Sequence, residues 1–111
     1  MSEADNVRIR HILDAAREAV AFAKGRSRAD LDSDRKLNLS LVRLLEIIGE
    51  AAKGISQEFR DSHSDLPWKS MIGMRDRLIH GYFDVNLDVV WETVTKDLPA
   101  LIAKLEKILA D

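Results

Sequence analysis

The strongest constraint in this chain is a stripe of apolar residues: Leu37, Leu41, Leu44, Leu45, Ile48, Ala52, Ile55 and Phe59. They recur at three- and four-residue steps, a spacing that only an α-helix gathers onto one face, and such a face must be covered. A second stripe covers it: Ile9, Ile12, Leu13, Ala16, Val20 and Ala23, with Asp5 placed to cap its start and Gly25 to end it. "SRADL" (27–31) predicts no more than a helical turn. Gly49 and Gly54 cost helix propensity inside the longer stripe, and close approach of another helix is the use that explains them.

Beyond residue 59 the polar "RDSHSD" (60–65) predicts a loop. Pro67 suits the first turn of a third helix, capped by Asp65 or a neighbour. That helix carries Met71, Ile72, Met74, Leu78 and Ile79 and is expected to end at Gly81. Asp84 or Asn86 then caps a fourth helix bearing Leu87, Val90, Trp91 and Val94. Pro99 breaks or kinks that pattern, and Leu101, Ile102, Leu105, Ile108 and Leu109 continue it. No strand pattern or internal repeat interrupts this order. The expected fold is all-α, an antiparallel bundle of four to five helices forming a single domain over 1–111.

Composition narrows the function. The chain has no Cys, which excludes disulfides and thiolate metal sites. No apolar run reaches the roughly 20 residues needed to span a bilayer, and no signal-peptide pattern is present, so a cytoplasmic protein without membrane attachment is expected. A formal charge of −2 argues against broad non-specific nucleic-acid binding but leaves room for a small basic cleft.

One nine-residue stretch does not fit a packing role alone. "RDRLIHGYF" (75–83) holds two Arg, an Asp, a His, a Tyr and a Phe in a chain with only three His and one Tyr. Arg and His together suit RNA cleavage without a metal. A histidine moves protons near neutral pH, and a forked guanidinium holds a phosphate and stabilises charge building on it. RNA brings its own nucleophile, the 2′-hydroxyl. Asp76 can tune the imidazole of His80, and Tyr82 can stack on a base or bond a phosphate. On an ideal helix Arg75 and His80 point about 140° apart. Two copies of the helix facing one another bring Arg75 of one chain near His80 of the other, so a dimer improves the geometry.

A structural reading stands beside this one. A helix C-terminus favours cations, so Arg77 and His80 can simply complement the dipole. Arg75 and Asp76 can form surface ion pairs of little energetic weight, and Tyr82 with Phe83 can plug the helix end. Elsewhere, His11 reads as a surface or half-buried side chain and His63 as a loop residue. Glu46 and Glu50, four apart, read as a solvated face or as partners of Arg43 or Lys53. Trp68 and Trp91 read as core or interface anchors. Lys69, Arg77 and Lys53 are candidate phosphate contacts, and no metal-ligand cluster is evident.

"RDRLIHGYFDVNLDVVWETVTKDLP", the upstream "LVRLLEIIGEAAKGIS", the "LPW" and the "DLP" resemble the HEPN superfamily, and specifically its HepT-like toxins. The superfamily motif is an Arg, a polar residue, and a His after four to six intervening positions, matched by Arg75, Asp76 and His80. The branch-specific Tyr two positions later is matched by Tyr82, and the likeness spans roughly residues 6 to 105. The resemblance implies a helical bundle, homodimeric with the motif at its interface, acting as a cofactor-free endoribonuclease of a type II toxin–antitoxin system. Arg75 and His80 are then catalytic, Asp76 supports them, and Arg77 and Lys69 are available for RNA contact. The implied partner is a minimal nucleotidyltransferase (MNT) antitoxin, which in some pairs AMPylates the tyrosine, here Tyr82. The competing expectation is a non-catalytic HEPN module that only docks on such a nucleotidyltransferase.

Overall fold

The computed structural model describes residues 2–80 and 84–110. Two long helices, α1 (Glu3–Ala23) and, after a short α2 (Asp30–Ser33), α3 (Arg35–Lys53), form the centre of an all-α bundle. Their inward faces explain why. Ile9, Ile12, Ala16 and Ala19 of α1 and Leu41, Leu45, Ile48 and Ala52 of α3 have no exposed surface. The alanines of α1 leave room for the leucines opposite, and each large aliphatic side chain buried this way contributes about 1.5–3 kcal/mol. The turn after α1 opens at Gly25, whose φ of +74° is open to glycine without the clash a side chain would bring. Arg26 then ties α2 down, its guanidinium 3.2 Å from Asp30 and 2.9 Å from Asp34.

The start of α1 corrects one expectation. Ser2, not Asp5, is the cap: its Oγ accepts the Asp5 backbone N–H at 3.0 Å. The Asp5 side chain is buried and reaches across to Ser56, accepting the Ser56 N–H at 2.9 Å and its hydroxyl at 2.6 Å. The Ser56 hydroxyl oxygen in turn accepts the Phe59 N–H at 3.2 Å and so starts α4 (Gln57–Ser62). Those Ser56 hydrogen bonds, side chain first and backbone second, hold the Asp5 carboxyl below its ordinary range. A carboxyl depressed in the folded state stabilises it above the unfolded value, near 3.8, and that contribution fades as pH falls through the folded value. Asp5→Ala is therefore expected to cost about 2 kcal/mol at pH 7, by analogy with other charge-assisted bonds. The deficit relative to wild type should shrink in urea melts run below about pH 4; a pH-independent deficit would contradict this.

The stripe from 37 to 59 is not one helix. α3 stops at Lys53, and Ile55 and Phe59 belong to the junction and to α4. Their spacing keeps the helical phase across the break, while Ser56 as a new cap makes it. For the same reason residues 60–62 of the expected loop are helical. Further on, the expected third helix is two short ones, α5 (Trp68–Ile72) and α6 (Met74–Leu78), separated at Gly73. Pro67 sits just ahead of α5, and no side chain caps it, Asp65 included.

α6 ends at Leu78, short of Gly81, because Ile79 leaves the helix in extended conformation and pairs antiparallel with Val85. Gly81 and Phe83 lie outside the described residues. Asn86, one of the two expected caps, starts α7 (Leu87–Glu92) by accepting the Val89 N–H at 3.2 Å. The chain then runs without interruption through a π-helical turn, Thr93–Asp97, into α8 (Leu98–Ala110), which packs on α1. Pro99 neither ends the helix nor opens a loop. The wider turn just before it accommodates a residue that has no N–H and whose ring crowds the preceding carbonyls.

Gly49 shows how closely α5 and α6 approach α3. A Cβ there would lie 3.0 Å from the Met71 carbonyl oxygen and 3.2 Å from the Met74 Cβ. At Gly54 the neighbour is the flexible Arg8 side chain instead. Gly49→Val should push α5–α6 away and cost about 1–3 kcal/mol, read as a lowered denaturant midpoint at unchanged slope. An unchanged midpoint would mean that this contact yields freely.

Candidate functional site

α6 is only five residues long, and its two ends fix how it sits. Met74 and Leu78, four apart, are buried, which turns Arg75, Asp76 and Arg77 to solvent. The Arg75 guanidinium reaches across to α3 and pairs with Glu46, Nη1 to Oε2 at 3.3 Å. The Glu46 side chain is 21% exposed and the Arg75 side chain 65%. A pair this open is worth at most about 1 kcal/mol. Glu46 thus orients Arg75 without locking it, and an incoming phosphate can outcompete a single carboxylate. Its spacing in the sequence predicts a solvated face for Glu46, or pairing with Arg43 or Lys53. Its actual partner is 29 positions away, beyond the reach of any local spacing rule.

His80 lies beyond the helix, so the 140° separation expected from helical phase does not apply. Its backbone N–H donates to the Asp84 carbonyl at 2.7 Å, and the Asn86 N–H donates to the Leu78 carbonyl at 2.7 Å. Together with the Ile79–Val85 pairing these bonds hold the main chain of residues 78–80 against that of residues 84–86, while His80 itself is exposed. Arg75 and His80 therefore stand on successive pieces of backbone, with the Arg75 side chain drawn toward α3. Asp76 is exposed between Arg75 and Arg77. Tyr82 lies outside the described residues.

The remaining candidates sort by their surroundings. Arg77 lines a cleft between α5–α6 and the π turn with α8, together with Lys96 and Lys104; Lys69 is exposed on α5. His63 is half-buried and stacks on Phe59, ring centres 4.4 Å apart. Trp68 meets Phe59 edge-on at 6.0 Å, and its indole N–H donates to the His63 carbonyl at 2.8 Å, so it is a packing anchor. Trp91 is half-buried against the core. His11 is exposed beside Arg8 and Arg43, and Glu50 pairs loosely with Lys53 at 3.7 Å. Among the described residues no three His, Asp or Glu side chains gather where they could hold a metal ion. None of the described helices is long and apolar enough to cross a membrane.

An exposed arginine oriented by a carboxylate, and an exposed histidine whose backbone N–H is tied to Asp84, are the groups that can bind a phosphodiester and move protons. Residues 12–108 match the family described as Ribonuclease HepT-like. The chain is 46% identical over 101 residues to "Putative RNase TTE0752" of Caldanaerobacter subterraneus, covering 91% of this chain and 90% of that one. It is 47% identical over 79 residues to "Probable ribonuclease HepT" of Thermococcus cleftensis, covering 71% and 72%. A Methanocaldococcus jannaschii protein, "Gamma-glutamylcyclotransferase and putative RNase MJ0434", is 37% identical over 103 residues, 93% of this chain but 46% of that longer one. No solved structure gives a significant match. The chain belongs to the HepT-like ribonuclease family of the HEPN superfamily.

Proposed function

We propose that this chain, a HepT-like endoribonuclease, cuts RNA with Arg75 and His80 by transesterification. The 2′-hydroxyl oxygen attacks the adjacent phosphorus and gives up its proton to a base, while the 5′-oxygen leaves and takes a proton from an acid. The products are a 2′,3′-cyclic phosphate and a 5′-hydroxyl end. His80 supplies one proton-transfer role, and Arg75 neutralises the charge gathering on the phosphorane oxygens. No metal enters this scheme. The observation that carries it is the pairing of Arg75 with Glu46, which leaves the guanidinium oriented, exposed and held by a contact a phosphate can replace.

Because Arg75 is drawn to α3 within its own chain, the reading includes a homodimer whose second copy brings its own His80 to this Arg75. The opposite proton role falls to the second His80 or to water, and recovery in mixed dimers separates the two. Neutralisation falls to an MNT-type nucleotidyltransferase antitoxin, and an adenylate on Tyr82 would block RNA by bulk and by like charge. Asp76 steadies the motif, Arg77 and Lys69 extend the positive surface, and the cytoplasm is the compartment in which such a pair works.

Subunit mixing tests the shared site. Arg75→Ala and His80→Ala proteins, each inactive alone, should regain a measurable fraction of wild-type cleavage after unfolding and refolding together, because one centre per mixed dimer keeps one Arg75 and a His80 from the other chain. No recovery, with mixed dimers shown to form, would place both residues of each centre in one chain or require both histidines.

A further inference from the structure

His80 is placed by main chain, and that main chain needs an anchor of its own. The Ile79 N–H makes the last bond back to α6, to the Arg75 carbonyl at 2.9 Å, and His80 is the first residue past it. Residues 78–80 then pair with the returning segment 84–86. The His80 N–H donates to the Asp84 carbonyl, the Asn86 N–H donates to the Leu78 carbonyl, and Ile79 faces Val85. Two-stranded pieces this short do not hold together unaided. The position of His80 is therefore set by whatever fixes the returning segment.

Asn86 supplies that attachment. Its backbone N–H closes the pairing on Leu78, while its side-chain Oδ1 accepts the Val89 N–H at 3.2 Å and caps α7. One half-buried residue thus joins the segment that holds His80 to a helical run from Leu87 to Ala110. That run is firmly seated, with Val90, Val94 and Leu98 buried in the core. A second tie at the start of α7 is weaker. Arg28, in the connection between α1 and α2, reaches Asp88 at 2.7 Å, but the Asp88 side chain is 83% exposed. So open a pair adds little.

We propose that Asn86 is the positioning residue for His80, holding the imidazole where the cleavage step needs it through the main chain of residues 84–86. Its effect on the rate rests on the reading of His80 as a proton-transfer group; its hold on the His80 main chain does not. Neither of the bonds to the returning segment uses the imidazole, so the backbone sets where the ring can reach. Displacing a reacting group by about 1 Å can cost as much as about 10²-fold in rate. Removing the Asn86 side chain leaves its backbone N–H in place. The short pairing then persists, but it is no longer referred to α7. Glu46 does the equivalent for Arg75 by direct contact, whereas Asn86 works at one remove.

Single-turnover cleavage of a labelled RNA by the full chain in excess, together with amide hydrogen exchange at His80, tests this. Asn86→Ala should lower the saturating rate about ten- to a hundredfold, with the half-saturating protein concentration within about twofold of wild type. Asn86→Ser keeps an acceptor at the cap and should bring the rate back to within about threefold. In the His80→Ala background, Asn86→Ala should cost less than about a further twofold, because both changes act on one group. The His80 amide should exchange at least about tenfold faster in Asn86→Ala. Ser2→Ala, which removes the cap of α1 instead, is the stability control. It should lower the melting temperature comparably and leave both the rate and the His80 exchange within about twofold. An unchanged rate or unchanged His80 exchange in Asn86→Ala overturns the proposal. So does failure of serine to rescue, an equal loss in Ser2→Ala, or the full loss repeated on top of His80→Ala. If His80→Ala itself cleaves like wild type, the cleavage reading fails, and the exchange at His80 alone decides whether Asn86 holds it.

Discussion

His80→Ala is expected to lower the rate of RNA cleavage by about 10²–10⁴-fold, the range typical for removing a positioned proton-transfer group. The fold should hardly notice. His80 is exposed, and what fixes its position is main chain: its own N–H to Asp84, the neighbouring Asn86 N–H to Leu78, and the Ile79–Val85 pairing. None of these bonds uses the imidazole. The melting temperature should therefore stay within a degree or two of wild type, while the activity collapses. His80→Ala protein that retains wild-type cleavage would remove His80 from the chemistry.

Arg75→Ala carries the second large effect, a loss of about 10²–10³-fold, comparable to deleting one preorganised donor to a transition-state oxyanion. Here the conservative variant is informative. Arg75→Lys keeps the charge but loses the fork that holds two phosphate oxygens, so it should recover only part of the rate. Glu46 separates binding from orientation. With Glu46→Gln the guanidinium keeps a weaker partner, and because the pair is worth at most about 1 kcal/mol, stability should be nearly unchanged. Activity should fall less than tenfold. Full recovery by Arg75→Lys would show that charge alone suffices, and that the oriented fork has no role.

Much of this molecule is legible in its sequence, and the limits have physical causes. The stripes of α1 and α3 are long enough for periodicity to identify them, and their buried faces are those the spacing predicts. The breaks are harder. Ile55 and Phe59 keep the phase of α3 across Gly54, so apolar spacing alone reads one helix where a new cap at Ser56 starts another. The extended Ile79 cannot be foreseen from Met74 and Leu78, because its conformation depends on Val85, six residues on, pairing back. At Pro99, where a break or a kink is expected, the helix runs on through a π turn, a device with no local sequence signature.

The candidate site divides along the same line. The motif residues Arg75, Asp76 and His80 are visible as an odd local composition and as a family pattern, and all three are exposed. Glu46 is invisible at that level, since only the packing of α6 on α3 brings it to Arg75. Asp5 is the converse case. It reads as an ordinary helix cap, yet its carboxylate belongs to Ser56 and ties the first helix to the fourth.

The chemistry of the cut ends tests the central claim most directly. RNA treated with the purified protein in excess chelator, with Arg75→Ala and His80→Ala proteins alongside, is resolved by mass spectrometry. Fragments ending in 2′,3′-cyclic phosphate and beginning with 5′-hydroxyl, present with wild type and absent with either variant, are the predicted result. Fragments with 5′-phosphate and 3′-hydroxyl ends, or equal cleavage by wild type and variants, would contradict it.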